Sequence, residues 1–180
     1  MEKPYLNNDI KLDEQALRKI FLYNLNKIYP VLLHLTYQLP CLADESCFGD
    51  LENALTELFM EVKLHVARIN AIFDELKEVP KTEKSISVNK ILEALLPDKG
   101  EYSFDNLSKD LHLVFHVQKI LNIKRNYYSI LKSIAGSLNN IDIKQHLQYN
   151  YDECESNQIM FKLIAKEYMD TSINTFLHEM

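Results

Sequence analysis

The sequence has 180 residues, a net charge of −6 and 47% hydrophobic side chains, which suits one domain with a sizeable core. Its basic residues are scattered, without the stripe that nucleic-acid binding needs. No apolar run approaches the roughly 18 residues of a membrane span, and Met1 to Tyr5 lack the apolar stretch of a secretory signal. Cys41, Cys47 and Cys154 are odd in number and lack Cys-x-x-Cys spacing, so they read as reduced thiols of a cytoplasmic protein. Three glycines and five prolines are too few turn residues for a multi-stranded β fold.

The first periodic segment runs from Asp13 to Ala43. Leu17, Phe21, Leu25, Ile28, Leu32, Leu35, Leu39 and Leu42 recur in threes and fours, the stripe of a core-facing helix. Pro30 falls inside it and removes one backbone hydrogen bond. It predicts a bend, or a split into two shorter helices. The break Cys47-Phe48-Gly49-Asp50 precedes a second helix, with Leu51, Ala54, Leu58, Glu61 or Val62, His65, Ile69, Phe73 and Leu76 on one face and Pro80 beyond its end. A short apolar helix is expected at Val88–Leu96, ended by Pro97-Asp98-Lys99-Gly100. The third long helix spans Phe104 to Ala135. Val114, Val117, Leu121, Lys124, Tyr128, Leu131 and Ala135 share a face on which Lys124 is the misfit. Gly136 and Asn139-Asn140 make the next turn. The fourth helix covers Ile141 to Met169, with Leu147, Tyr151, Cys154, Gln158, Phe161 and Ala165 aligned, and Asp170–Met180 reads as a last short helix.

Short loops make helices 1 and 2, and helices 3 and 4, antiparallel neighbours. Residues 77–103 are long enough to cross over. The expected fold is therefore all-α: residues 1–180 as one ferritin-like antiparallel four-helix bundle, with one long crossover containing the short extra helix.

A ferritin-like bundle that binds two metals projects carboxylates inward from all four helices and adds two Glu-x-x-His pairs. No Glu-x-x-His occurs here. Glu61 with His65, His112 with His116, and Asp142 with His146 have the wider i, i+4 spacing. Such pairs hold metals on some helices and are more often exposed polar neighbours. No Gly-rich phosphate loop, Gly-x-Ser-x-Gly or His-Glu-x-x-His is present. Tyr127, Tyr128, Tyr149 and Tyr151 suggest aromatic packing.

Residues 21–92 resemble the YciE/YciF family of ferritin-like bacterial stress proteins, without a gap. The resemblance is carried by Phe21-Leu22, Leu25, Tyr29, Leu39-Pro40-Cys41-Leu42-Ala43, Leu51, Ala54, Arg68, Ile72-Phe73, Pro80 and Ile91-Leu92. A looser second half follows through Gln118-Lys119, Tyr128, Leu131, Ala135, Phe161 and Ile164-Ala165. The resemblance implies a four-helix bundle, a homodimer and a dinuclear metal site at mid-bundle. The chain departs from the family at that site. Leu32 stands for a glutamate on helix 1. On helix 2 a His-x-x-Glu becomes Leu58 and Glu61. On helix 3 two carboxylates become Leu121 and Lys124, and on helix 4 two glutamates and an aspartate become Glu153, Cys154 and Gln158. Two remaining carboxylates do not hold two metal ions, and the leucines are core-fillers.

The expected protein is thus a non-catalytic, cofactor-free cytoplasmic bundle with a lost metal site and a structural or interaction role, its link to stress physiology resting on analogy. The alternative keeps a metal on Glu61, His65 and Glu153, with residual iron or manganese oxidase or detoxifying activity. A helical adaptor outside the family, binding a partner helix, is a third reading. Lys124, inward on helix 3, is expected either to meet Glu61 and supply the positive charge a metal would bring, or to carry its nitrogen to a bundle edge with only its stem buried.

Overall fold

Asp13 opens the first helix by accepting a hydrogen bond from the Ala16 backbone N–H at 2.6 Å, the usual role of an N-cap aspartate. The computed structural model describes residues 11–81 and 105–178, the side chains of residues 171–178 excepted. Its elements are α1 (Glu14–Glu45), α2 (Gly49–Leu76), α3 (Asn106–Ser137) and α4 (Ile141–His178). No strand occurs among the described residues. The short helix expected at Val88–Leu96 lies outside them.

Pro30 does not divide α1, which runs unbroken through Pro30 and Pro40. Pro30 is itself buried, so packing holds the turn whose hydrogen bond it removes. α2 ends at Lys77, in the left-handed conformation at φ 55°, where Glu78 N–H returns to Phe73 O at 2.9 Å. Asn139 takes the same conformation in the turn before α4, and Asn140 Oδ1 accepts from Ile143 N–H at 3.0 Å. The tail is not a separate helix: α4 continues without a break to His178.

α1 packs chiefly on α2, and α3 on α4; α2 against α4 and α1 against α3 close the ring. Contacts at both ends fix the directions. Asp110 near the start of α3 accepts from Cys47 and Phe48 N–H, at 2.8 and 3.0 Å, at the start of α2. Asn140, at the start of α4, donates to Glu75 Oε1 at 2.8 Å near the end of α2. So α2 and α3 run the same way, and every neighbouring pair in the ring is antiparallel. The chain between Leu76 and Asn106 joins opposite ends of the bundle, about 40 Å apart at 1.5 Å per helical residue. This is the two-hairpin, one-crossover connectivity read from the sequence.

The core is one cluster drawn from all four helices, with Leu25, Leu35, Leu55, Ile69, Val117, Leu131, Leu147 and Phe161 almost fully buried. α2 lacks a side-chain cap of its own. Asp110, only 1% exposed, supplies one from α3 and stabilises the positive end of the α2 dipole.

Candidate functional site at mid-bundle

The core stripe turns polar halfway along the bundle. On α2, Glu61, His65 and Arg68 are spaced by four and three and so share a face. On α4, Asn150, Glu153 and Asn157 do the same. Antiparallel packing sets the two rows opposite each other.

Glu153 is the centre. Arg68 grips it with two charge-assisted bonds, Nη1 to Oε2 at 2.6 Å and Nη2 to Oε1 at 2.8 Å, a bidentate geometry suited to guanidinium and carboxylate. His65 Nε2 lies 2.7 Å from the same Oε2. Burial would raise the Glu153 carboxyl, but hydrogen bonds from His65 and Arg68 outweigh it and hold the group down at about 2. Burial, reinforced by the Lys124 charge, lowers the His65 imidazole to about 3. The ring is therefore neutral at pH 7, with its proton on Nε2 facing Glu153. Nδ1 accepts from the Tyr128 hydroxyl at 3.1 Å, and the two rings meet edge to face with centroids 5.3 Å apart. Tyr128 is wholly buried, which pushes its phenol well above the ordinary range and keeps it a donor. Arg68 Nη1 also donates to Asn150 Oδ1 at 2.9 Å. One chain of hydrogen bonds thus links Asn150, Arg68, Glu153, His65 and Tyr128 across three helices.

Glu61 lies beside this chain and accepts from Asn157 Nδ2, which also donates to the Glu153 backbone oxygen at 2.8 Å. Burial raises its carboxyl against the pull of that hydrogen bond. Leu32, Leu58 and Leu121 sit in the apolar core with at most 1% exposure. Gln158 points instead to α3, where it donates to Asn122 Oδ1 at 2.8 Å.

The expected meeting of Lys124 with Glu61 does not occur. Among the described residues Lys124 forms no ion pair with a carboxylate. Its Nζ is fully buried without a hydrogen-bond partner, so the side chain does not reach the bundle edge either. The reason is competition: Arg68 reaches Glu153 with a planar two-pronged group, and Asn157 occupies Glu61. The charge opposite Glu153 comes from Arg68, which sequence reasoning quoted for family likeness and not for the site. Tyr128, Asn150 and Asn157 were likewise missed. The signal for the two asparagines was the polar row at 150, 153 and 157 on α4.

The three i, i+4 pairs separate. Glu61 and His65 are in the network, so that pair is not an exposed one. His112 and His116 stack edge to face at 4.6 Å between centroids. Asp142 and His146 lie at the start of α4, far from the middle. The four tyrosines do not form one cluster. Tyr128 turns inward to His65, Tyr149 lies under Arg68, and Tyr151 takes Lys132 Nζ over its ring at 4.1 Å.

The residues at mid-bundle do not fit a pair of metal ions. Both ring nitrogens of His65 are engaged, Glu153 is bonded on both oxygens, and the Lys124 side chain is buried at the same level. Among the described residues no group of three or more His, Cys, Asp or Glu side chains is placed to hold a metal ion. None of the described helices is long and apolar enough to cross a membrane.

A family model described as a domain of unknown function (DUF892) matches residues 16–174. The chain belongs to the DUF892 family. Two solved structures share its fold. The E. coli stress protein YciF superposes with a TM-score of 0.77 at 19% identity, covering 87% of this DUF892 chain and 98% of YciF. YcfI from Rhodopseudomonas palustris, for which a structural role has been suggested, gives 0.74 at 21% identity, with 88% and 98% covered. Comparison with curated proteins gives no match. The family assignment agrees with the likeness to YciF read from the sequence.

Proposed function

We propose that this DUF892 protein is a non-catalytic bundle in which a dinuclear metal site has been replaced by a polar clasp joining two helical hairpins, and that its role is structural or interactive. The observation that carries this is the state of Glu153. The one carboxylate best placed to serve a metal is committed to Arg68 on both oxygens and to His65. A metal entering there has to displace a bidentate guanidinium, and a buried ammonium opposes it electrostatically. A place in stress physiology, and a two-fold homodimer, follow by analogy with YciF and its family.

A second reading keeps a single metal on Glu61, His65 and Glu153 with residual oxidase or detoxifying activity; in its favour, His65 Nε2 lies 2.7 Å from Glu153. One experiment separates the two. The protein is equilibrated with iron(II), manganese(II) or zinc(II), dialysed, and analysed for metal. Only trace metal is expected, with no rise in melting temperature; a stoichiometric ion stabilises the fold by mass action and refutes the clasp. Sedimentation at tens of micromolar tests assembly independently: a monomer alone removes the dimer.

A further inference from the structure

Lys124 and Cys154 form a second pair at mid-bundle, inside the clasp and unused by it. The register of α3 on α4 is fixed on one side by Asn122 with Gln158 and on the other by Arg125 with Tyr151. Lys124 and Cys154 fall between these contacts on the two inward faces. Both side chains are completely buried. Lys124 Nζ has no hydrogen-bond partner, and of the charged groups around the Cys154 thiol, Lys124 acts on it most strongly. An amine and a thiol are thus enclosed together with nothing else engaging the amine. We propose that Lys124 and Cys154 are the two ends of an oxidative N–O–S cross-link, formed with dioxygen, that staples α3 to α4.

The chemistry balances. The ammonium first releases one proton to solvent. The amine and the thiol then each lose one hydrogen. One oxygen atom of dioxygen enters between nitrogen and sulfur, and the other leaves as water carrying the two hydrogens. Nitrogen and sulfur each give up two electrons, and dioxygen takes four. Dioxygen is small and uncharged and reaches the pair when the bundle opens locally.

The test uses the full chain with Cys41→Ser and Cys47→Ser, both exposed positions, leaving Cys154 as the sole thiol. In oxygen-saturated buffer the intact mass is expected to rise by about 14 Da, one oxygen in and two hydrogens out. A sulfenic acid instead adds about 16 Da and a sulfinic acid about 32 Da. Dithiothreitol should reverse the gain, and digestion should yield one species joining the Lys124 and Cys154 peptides. Adding Cys154→Ser or Lys124→Met should abolish it. Should Lys124→Met fail to fold by circular dichroism, Lys124→Arg keeps a cation and equally removes the reacting amine. No mass change, or gains of about 16 or 32 Da confined to Cys154, overturns the proposal.

Discussion

Replacing Arg68 with methionine removes the guanidinium while keeping much of its apolar stem. Glu153 then loses both of its bidentate bonds and Asn150 loses its donor. An exposed ion pair is worth about 0.2–1 kcal/mol, and breaking a fully buried one costs about 3–5 kcal/mol. The side chains of Arg68 and Glu153 are 21% and 27% exposed, which places this pair between the limits. The carboxyl gives a second measure. Lowering it from 4.5 to about 2 corresponds to a ceiling of about 3.5 kcal/mol at roughly 1.4 kcal/mol per pKa unit. His65 supplies part of that and solvent screens the rest. The expected loss for Arg68→Met is therefore about 2 kcal/mol at pH 7, read by urea unfolding. A depressed carboxyl contributes stability that is present above its unfolded value and lost as pH falls through the folded one. The unaltered protein should accordingly lose this contribution between about pH 4.5 and 2, and the variant should show a shallower acid slope there. His65, lowered from 6.5 to about 3, weakens both proteins as pH falls across its own window, since only the unfolded chain then takes up the proton. A loss below about 0.5 kcal/mol, the scale of a surface substitution, or equal acid slopes, refutes the assignment of Arg68 as the counter-charge of Glu153.

Three further substitutions probe the same region and its support. Lys124→Met removes a buried, unpartnered ammonium and should raise stability by about 1–3 kcal/mol; a comparable loss means that Lys124 has a favourable partner in solution. Glu61→Gln keeps an acceptor for Asn157 and removes a charge that burial disfavours. A carboxyl raised on folding contributes stability only below its unfolded value, so this variant should be the more stable at pH 7 and lose its advantage in acid. Asp110→Ala leaves the start of α2 without its cap and should cost about 1–2 kcal/mol in thermal or urea unfolding.

The four long helices were legible because their inward residues keep the helical period for about five to seven turns and because glycine is rare. Connectivity followed from loop lengths. Helix ends were less legible. Nothing in the sequence announces that Asp110 caps α2 from another helix, because the partners are more than 60 residues apart. The site was legible by position and not by pairing. Leu32, Leu58 and Leu121 are core residues, as their chemistry implies. Which cation faces which anion depends on side-chain reach across α2 and α4. A lysine inward on α3 does not compete with an arginine directly opposite on α2, and periodicity within single helices carries no information about that choice.

Three side-chain bonds of the clasp, Arg68 and His65 to Glu153 and Asn157 to Glu61, join residues 85 to 96 positions apart, whereas α1–α2 and α3–α4 are each closed by a short turn. Order of assembly follows. Two locally closed hairpins form first, because short loops lose little entropy, and they dock afterwards through a seam that is polar at its centre. The chain between Leu76 and Asn106 is then a tether that keeps the hairpins at an effective concentration on the order of millimolar. Cutting the tether turns docking from a unimolecular into a bimolecular step, so refolding becomes dependent on protein concentration while each hairpin keeps the surface that recognises the other.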